Sequence, residues 1–137
     1  PSATPVATGS ECVLVVEDEV AVGRLVARIL RNAGYKVLSA RNGDEALMLC
    51  EKHQGEVDLL LTDVMMPHMS GRDLAKRMTE LEPRLQVLYM SGYTDDAIVH
   101  HGVLEHGTRF IGKPFAAAEL ARKVREVLDE KGNGNGK

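Results

Sequence analysis

Hydrophobic residues along the chain alternate between two kinds of segment. Five short apolar runs have the length and the β-branched or aromatic content of strands, at residues 12–16, 35–40, 57–61, 85–90 and 108–111. Five further stretches, around residues 22–30, 46–50, 74–81, 97–104 and 120–128, carry apolar residues three and four positions apart, as amphipathic helices do. This repeated strand-helix alternation predicts an α/β layer fold.

The pattern also predicts which strands lie at the centre of the sheet. The runs at 13–16 and 59–61 are continuously apolar, which is typical of strands covered by helices on both faces, so we expect them to be central. Asn42 or Asp44 opens the second helix, Ser70-Gly71 precedes the third, and Pro83 closes it. In doubly wound sheets of this kind, ligands bind beyond the carboxyl ends of the strands.

Composition adds limits to this picture. The 137 residues suit one domain, and 44% hydrophobic with 27% charged residues is near the globular average. Seventeen basic against twenty acidic residues give a net charge of −3, and no basic stripe stands out, which argues against a nucleic-acid surface. The longest early apolar run is far too short for a membrane span, and no leader opens the chain, so we expect a soluble, cytoplasmic protein without membrane contact.

The ends of the chain differ from its middle. Residues 1–10 form a Ser/Thr/Pro/Ala/Gly string that predicts a linker, residues 11–130 form the domain, and residues 131–137 form a flexible tail. Cys12 and Cys50 lack the spacing of metal or redox motifs, so we interpret them as buried small hydrophobic residues. The five histidines are interpreted as surface residues, since none has a convincing metal-ligand spacing.

Polar residues that carry chemistry follow four of the predicted strands. Glu17-Asp18-Glu19 follows the first strand, Asp63 the third, Ser91-Gly92 the fourth and Lys113-Pro114 the fifth. Because the carboxyl ends of parallel strands meet at one edge, carboxylates, a hydroxyl and an ammonium should converge there. Crowded carboxylates recruit Mg²⁺ or Ca²⁺, and Mg²⁺ suits a shallow, wet cleft.

This set of groups is suited to phosphoryl chemistry. Asp63 is a candidate nucleophile toward phosphorus, forming an acyl phosphate, while Lys113, Ser91 and backbone N–H groups can stabilise the developing charge. Taken singly, Glu19 is better explained as a solvated first-turn acid, Lys113 as a surface lysine and Ser91-Gly92 as a turn. Their joint placement at four strand ends favours the functional interpretation.

Two other classes of protein use similar parts. A phosphohydrolase with a strand-end Asp nucleophile would want a second Asp two residues later, where this chain has Met65. A flavin-type mononucleotide binder would need a hydroxyl- and glycine-rich loop after the first strand, and Glu17-Asp18-Glu19 would instead repel phosphate. Both alternatives are disfavoured.

The motifs resemble those of a known family. Val15-Val16-Glu17-Asp18-Glu19, the stretch 60–67, Met90-Ser91-Gly92 and Gly112-Lys113-Pro114-Phe115 together resemble the receiver domain of bacterial two-component response regulators, over residues 11–130. The resemblance implies a flavodoxin-like, doubly wound parallel sheet of five strands in the order 2-1-3-4-5, with five helices. It also implies phosphorylation of the domain, with Mg²⁺ as cofactor.

Individual roles are implied by the same resemblance. Asp63 would be the phosphoacceptor and a metal ligand, Asp18 a direct Mg²⁺ ligand, Glu17 a ligand through water, and Met65 a ligand through its main-chain carbonyl. Lys113 would hold a phosphoryl oxygen. Glu17 stands where many relatives carry Asp, which should preserve metal binding and alter its tightness.

The resemblance further implies a switch. Ser91 would move to bond the phosphoryl group, and Phe110 would be the switch aromatic, unless it is a plain core residue; as Phe it can reorient but donates no hydrogen bond. Met65 and Tyr93 resemble positions that tune phosphate lifetime. The bond between Lys113 and Pro114 resembles the family's cis peptide, which aims the lysine inward.

Partners follow from the same comparison. The donor would be a histidine kinase or phosphotransfer domain, in the same or a partner chain, and the domain itself would be a monomer or weak dimer with no DNA-binding module. The reporting surface would be the fourth helix, fifth strand and fifth helix, including Thr94, Asp95, Asp96 and Phe110. Residues 89–99 and 102–104 look like receivers of hybrid sensor histidine kinases; a stand-alone single-domain regulator is the alternative.

Overall fold

The alternation of strands and helices is realised as a five-stranded sheet covered on both faces. The structure is a computed structural model that describes residues 8–92 and 109–130. Its strands are β1 (Cys12–Val16), β2 (Lys36–Ala40), β3 (Leu59–Asp63), β4 (Gln86–Ser91) and β5 (Phe110–Gly112). Its helices are α1 (Val20–Asn32), α2 (Gly43–Lys52), α3 (Gly71–Leu81) and α4 (Ala117–Asp129). The predicted helix at 97–104 lies outside the described residues.

All strand pairs are parallel, and the order is β2-β1-β3-β4-β5. The predicted strand order and the central positions of β1 and β3 are therefore confirmed. Every residue of β1 is buried, because helices cover both faces of the sheet there.

The strands at the functional edge extend further than the apolar runs indicate. The ladder pairs Asp63 with Met90 and Ser91 with Gly112, so β3 and β4 each include the polar residue that ends them. At the opposite end, β3 begins at Leu59 rather than at residue 57. Apolar runs locate buried strand residues, whereas hydrogen bonding continues into polar ones, so the predicted carboxyl ends of β3 and β4 were wrong by two residues and one residue. The predicted starts of β2, β3, β4 and β5 were one or two residues too early, because the apolar run begins before the strand pairing does.

The core has two halves, one on each face of the sheet. Successive strand residues point to opposite faces. Val13, Val15, Leu59 and Leu61 pack with α1 and α4, whereas Leu14, Val16 and Leu60 pack with α2 and α3; all seven are buried. This two-sided packing fixes the sheet register and so fixes which residues reach the carboxyl edge.

Helix starts and cysteines follow the sequence expectations. The side chain of Asn42, rather than Asp44, caps α2 by accepting a hydrogen bond from the Glu45 N–H, and Ser70 caps α3 in the same way. Cys12 and Cys50 are free and buried, and burial raises the pKa of both thiols, so neither is poised as a nucleophile. Among the described residues, no helix has both the length and the apolar character needed to cross a membrane.

Candidate functional site

The carboxyl ends of the strands bring three acidic side chains into one cluster. Glu17 directly follows β1, Asp18 is next in the chain, and Asp63 is the last residue of β3. One carboxylate oxygen from each lies within 4.8 Å of the others. β1 and β3 are hydrogen-bonded neighbours at the centre of the sheet, so the cluster sits at the point where the strand order reverses.

Lys113 joins this cluster from the far side of the sheet. Its Nζ lies 2.8 Å from Oε1 of Glu17 and 3.3 Å from Oδ2 of Asp63. The side chains of Lys113 and Asp63 are 18% and 14% exposed, and that of Glu17 is fully buried. A single ammonium therefore bridges two carboxylates, and all three side chains are largely shielded from solvent.

Burial and pairing act in opposite directions on these groups. Burial raises the pKa of Glu17 to about 7, although the hydrogen bonds from Lys113 and from the Glu19 N–H work against it. Burial alone would lower the pKa of Lys113, but its bond to Glu17 and the charge of Asp63 outweigh this and raise it. Lys113 therefore stays cationic, and the clustered carboxylates favour the binding of positive charge.

Backbone contacts hold Asp63 in place. The Val64 N–H donates to the Met90 carbonyl at 3.0 Å, and the Gly71 N–H donates to the Val64 carbonyl at 2.9 Å. A Cβ at Gly71 would overlap the main-chain carbonyl of Asp63, so only glycine allows α3 to start this close to β3. The start of α3 therefore packs directly beneath the end of β3.

The ends of β4 and β5 are tied together in a similar way. Ser91 is buried, and its main-chain carbonyl accepts a 2.6 Å hydrogen bond from the Lys113 N–H. The peptide between Lys113 and Pro114 is cis. The main-chain hydrogen bond makes Ser91 and Lys113 adjacent, and the contacts of Nζ show that the lysine side chain is directed toward the ends of β1 and β3.

Other residues singled out in the sequence lie at the margin of this cluster or elsewhere. Met65 is 54% exposed two residues after Asp63, and Phe110 is half-buried against the part of the core formed with α2 and α3. The Glu19 side chain is exposed, and only its N–H takes part, donating to Glu17 Oε2 at 3.2 Å. Tyr93 and residues 94–96 lie outside the described residues.

Two features of the site were missed in the sequence. The direct ion pair between Glu17 and Lys113 was not foreseen, because Glu17 was considered only as a metal ligand through water. The close approach of Gly71 to Asp63 was also missed, although a glycine straight after the helix-capping Ser70 was a usable signal.

Comparison with known proteins places this geometry in a family. The model of the response regulator receiver domain matches residues 13–125, which is most of the chain. The chain belongs to this family. Receiver domains act in two-component signalling, where they receive phosphoryl groups from histidine kinases or phosphotransfer proteins and bind Mg²⁺ at an acidic pocket.

Similar receivers occur in proteins of very different length. The chain is 38% identical over 123 residues to the sensor kinase CckA of Brucella abortus, covering 90% of this chain and 13% of that protein. It is 32% identical to the response regulator receiver protein CpdR of the same organism, covering 85% of this chain and 95% of that protein. The crystal structure of the receiver domain from the hybrid histidine kinase CckA superimposes with a TM-score of 0.73 at 38% identity, covering 85% and 98% of the two chains.

Proposed function

We propose that this receiver domain accepts a phosphoryl group on Asp63 from a phosphorylated histidine. The observation that carries the proposal is the position of Lys113 Nζ, 3.3 Å from Asp63 Oδ2, beside three carboxylates that lie within 4.8 Å of one another. A carboxylate oxygen of Asp63 attacks phosphorus, and the bond from phosphorus to the histidine nitrogen breaks. The freed imidazole takes up a proton, and Asp63 becomes an acyl phosphate.

The donor set of the cluster fits a divalent cation. Hard oxygen ligands and a partly hydrated site are what Mg²⁺ prefers. Asp18 and Asp63 would bind it directly, the main-chain carbonyl of Met65 would complete the protein ligands, and Glu17 would act through water. The bound ion would supply positive charge that offsets the charge of the phosphoryl oxygens.

The chain's own donors serve the transferred group. A phosphoryl group brings about −1.5 to −2 charges, and Lys113 is already held beside the attacking oxygen to offset them. Ser91 follows as the switch hydroxyl: it ends β4 next to Lys113 and would bond another phosphoryl oxygen. Phosphorylation would thereby favour one of two arrangements of the β4 and β5 ends.

We expect the outcome of the switch to be read on the predicted helix at 97–104, β5 and α4, with Phe110 as the switch aromatic. Residues 94–104 lie outside the described part of the chain. Met65 and Tyr93 would tune the lifetime of the acyl phosphate. Shifting a two-state equilibrium from 1:99 to 99:1 takes about 5.5 kcal/mol of differential binding, which several charge-assisted hydrogen bonds supply.

The parent protein is proposed to be a hybrid histidine kinase, with the kinase or a phosphotransfer domain as donor. The 38% identity to a receiver that forms 13% of a sensor kinase supports this context. The match to CpdR, 95% of whose length this chain covers, supports the alternative of a stand-alone regulator. Sequencing the complete gene decides between them: a kinase core upstream supports the hybrid, and an open reading frame without one contradicts it.

The phosphoacceptor role is tested by mass spectrometry. The purified protein is incubated with Mg²⁺ and a small acyl phosphate, and we expect an acid-stable, base-labile gain of one phosphoryl group. The gain should disappear in Asp63→Asn and remain in Asp44→Asn, a matched control at an exposed acid in the first turn of α2. Labelling that persists in Asp63→Asn, or that is equally fast in EDTA, would contradict the proposal.

A further inference from the structure

A cleft of about 520 Å³ lies between α1 and β2, and its lining does not include Asp63. β2 is an edge strand, so the cleft opens at the side of the sheet. Its apolar lining includes Val15, Val20, Ala27 and Ala40, and four of its polar lining residues are arginines. Ligand pockets of small molecules typically measure about 300–1,000 Å³, so this cleft has the size of a ligand site.

Four arginines line this cleft: Arg24, Arg28 and Arg31 from α1, and Arg41 just after β2. The α1 arginines are four and three residues apart, which places them on the same side of the helix. α1 carries no acidic residue at all, and like charges four apart destabilise a helix. This arrangement costs stability in a protein whose overall charge is −3, so it calls for an explanation beyond solubility.

The positive charge of the cleft is not neutralised from within. Across residues 8–92 and 109–130, none of the four guanidinium groups forms an ion pair. Arg31 donates to the Val37 carbonyl at 3.3 Å, which fixes it near the start of β2. Arg41 lies at the other end of that strand, about 13 Å away at about 3.3 Å per residue.

We propose that this cleft binds a nucleotide that carries two or more phosphates. Guanidinium groups pair bidentately with phosphate oxygens, and several of them spread over this length match several phosphates better than one. Val20, which is 44% exposed, offers an apolar surface for the base or sugar. Inorganic phosphate would leave most of the volume unfilled and would engage only part of the arginine set.

The cleft meets the proposed phosphoacceptor machinery only at Glu17. Of the acidic cluster only Glu17 borders the cleft, and its carboxylate is already engaged by Lys113 and the Glu19 N–H. Within the described part of the chain, the four arginines form no hydrogen bond or ion pair with Asp63. Acyl-phosphate labelling of Asp63 and nucleotide binding in the cleft can therefore succeed or fail independently.

Isothermal titration calorimetry of the whole chain tests the proposal. The probes are ATP, GTP, a cyclic dinucleotide, pyrophosphate and inorganic phosphate. We expect at least one nucleotide to bind with a Kd below about 100 μM at low salt, and inorganic phosphate to bind at least about thirtyfold more weakly. Arg24→Gln combined with Arg28→Gln should weaken nucleotide binding by about tenfold or more.

A matched variant separates the cleft from general charge. Arg77→Gln combined with Arg84→Gln removes the same charge at exposed positions outside the cleft, and it should bind the nucleotide within about twofold of the wild type. The proposal is overturned if no nucleotide binds more tightly than about 1 mM, if phosphate binds as well as the nucleotide (an adventitious ion only), or if both double variants lose affinity equally. Circular dichroism of both variants verifies that α1 remains folded.

Discussion

Glu11 and Arg125 form an ion pair whose stabilising effect should depend on pH in a calculable way. Nη1 and Nη2 of Arg125 lie 3.0 and 2.6 Å from the two carboxylate oxygens of Glu11. The same guanidinium also donates to the Thr8 carbonyl and to Asp129. This bidentate contact connects the segment before β1 to α4, so Glu11→Gln should weaken the attachment of that segment to the helix.

The size of the effect follows from the pKa of Glu11. The hydrogen bonds from Arg125 lower this pKa from 4.5 to about 2. At about 1.36 kcal/mol per pH unit, that difference corresponds to roughly 3 kcal/mol as an upper bound. The Glu11 side chain is 30% exposed, and water and salt weaken partly exposed pairs, so we expect Glu11→Gln to lower the free energy of unfolding by about 1 kcal/mol at pH 7.

The sign of the pH dependence is fixed by the direction of this change. A carboxyl group whose pKa falls on folding stabilises the native state above its unfolded pKa, and the stabilisation is lost as the pH falls through the folded value. The difference between wild type and Glu11→Gln should therefore be constant from pH 7 to 5 and shrink steadily below about pH 4.5.

Urea denaturation of both proteins across this pH range measures the difference directly. Glu126→Gln, in the solvent-exposed pair with Lys123, is the control, and it should change the free energy of unfolding by less than about 0.5 kcal/mol at every pH. If Glu11→Gln lowers the free energy of unfolding by the same amount at pH 7 and at pH 3.5, the electrostatic explanation is refuted. The loss would then come from packing.

Two further substitutions test the local structure of the fold. Gly71→Ala should lower the free energy of unfolding by about 1–3 kcal/mol, because the new Cβ meets the Asp63 carbonyl. It should also slow acyl-phosphate labelling; wild-type stability and labelling would show that α3 can shift freely. Asn42→Ala should cost about 1 kcal/mol by removing the α2 cap, whereas Asp44→Ala should cost clearly less; equal losses in thermal denaturation would mean that Asn42 is not the cap.

Much of the fold was predictable because buried positions are occupied by apolar residues, whose spacing along the chain differs between strands and helices. A strand covered on both faces must be continuously apolar, so the sequence alone predicts that β1 and β3 lie at the centre of the sheet. The ends of β3 and β4 were not predictable from the same signal, since Asp63 and Ser91 continue the ladder without being apolar. The end of a strand depends on how far the neighbouring strand continues to pair with it, and the type of the last residue does not reveal this.

The sequence was sufficient to predict which residues share one edge of the sheet, but not which side chains contact each other there. Parallel strands bring their carboxyl ends together, which is why Glu17, Asp63 and Lys113 could be assigned to one edge. Whether Lys113 contacts Glu17 or Asp63 depends on side-chain reach across the sheet, which spacing along the chain does not encode. The spacing of Arg24, Arg28 and Arg31 places them on one side of α1, but Arg41 joins them only through the fold.

The position of β5 explains why a lysine is suited to this site. β5 is separated from β3 by β4, so their backbones are about 10 Å apart at about 4.8 Å per strand spacing. Lys113 crosses this gap at the end of β4, and its own N–H is held by the Ser91 carbonyl as it does so. Its ammonium then contacts both Glu17 and Asp63. One side chain thus connects β5 to the two central strands, and any change of charge at Asp63 alters an ion pair whose other end is anchored in β5. Ser91 lies at the crossing point, so the residues that would sense a phosphoryl group are already those that join the outer strands to the centre of the sheet.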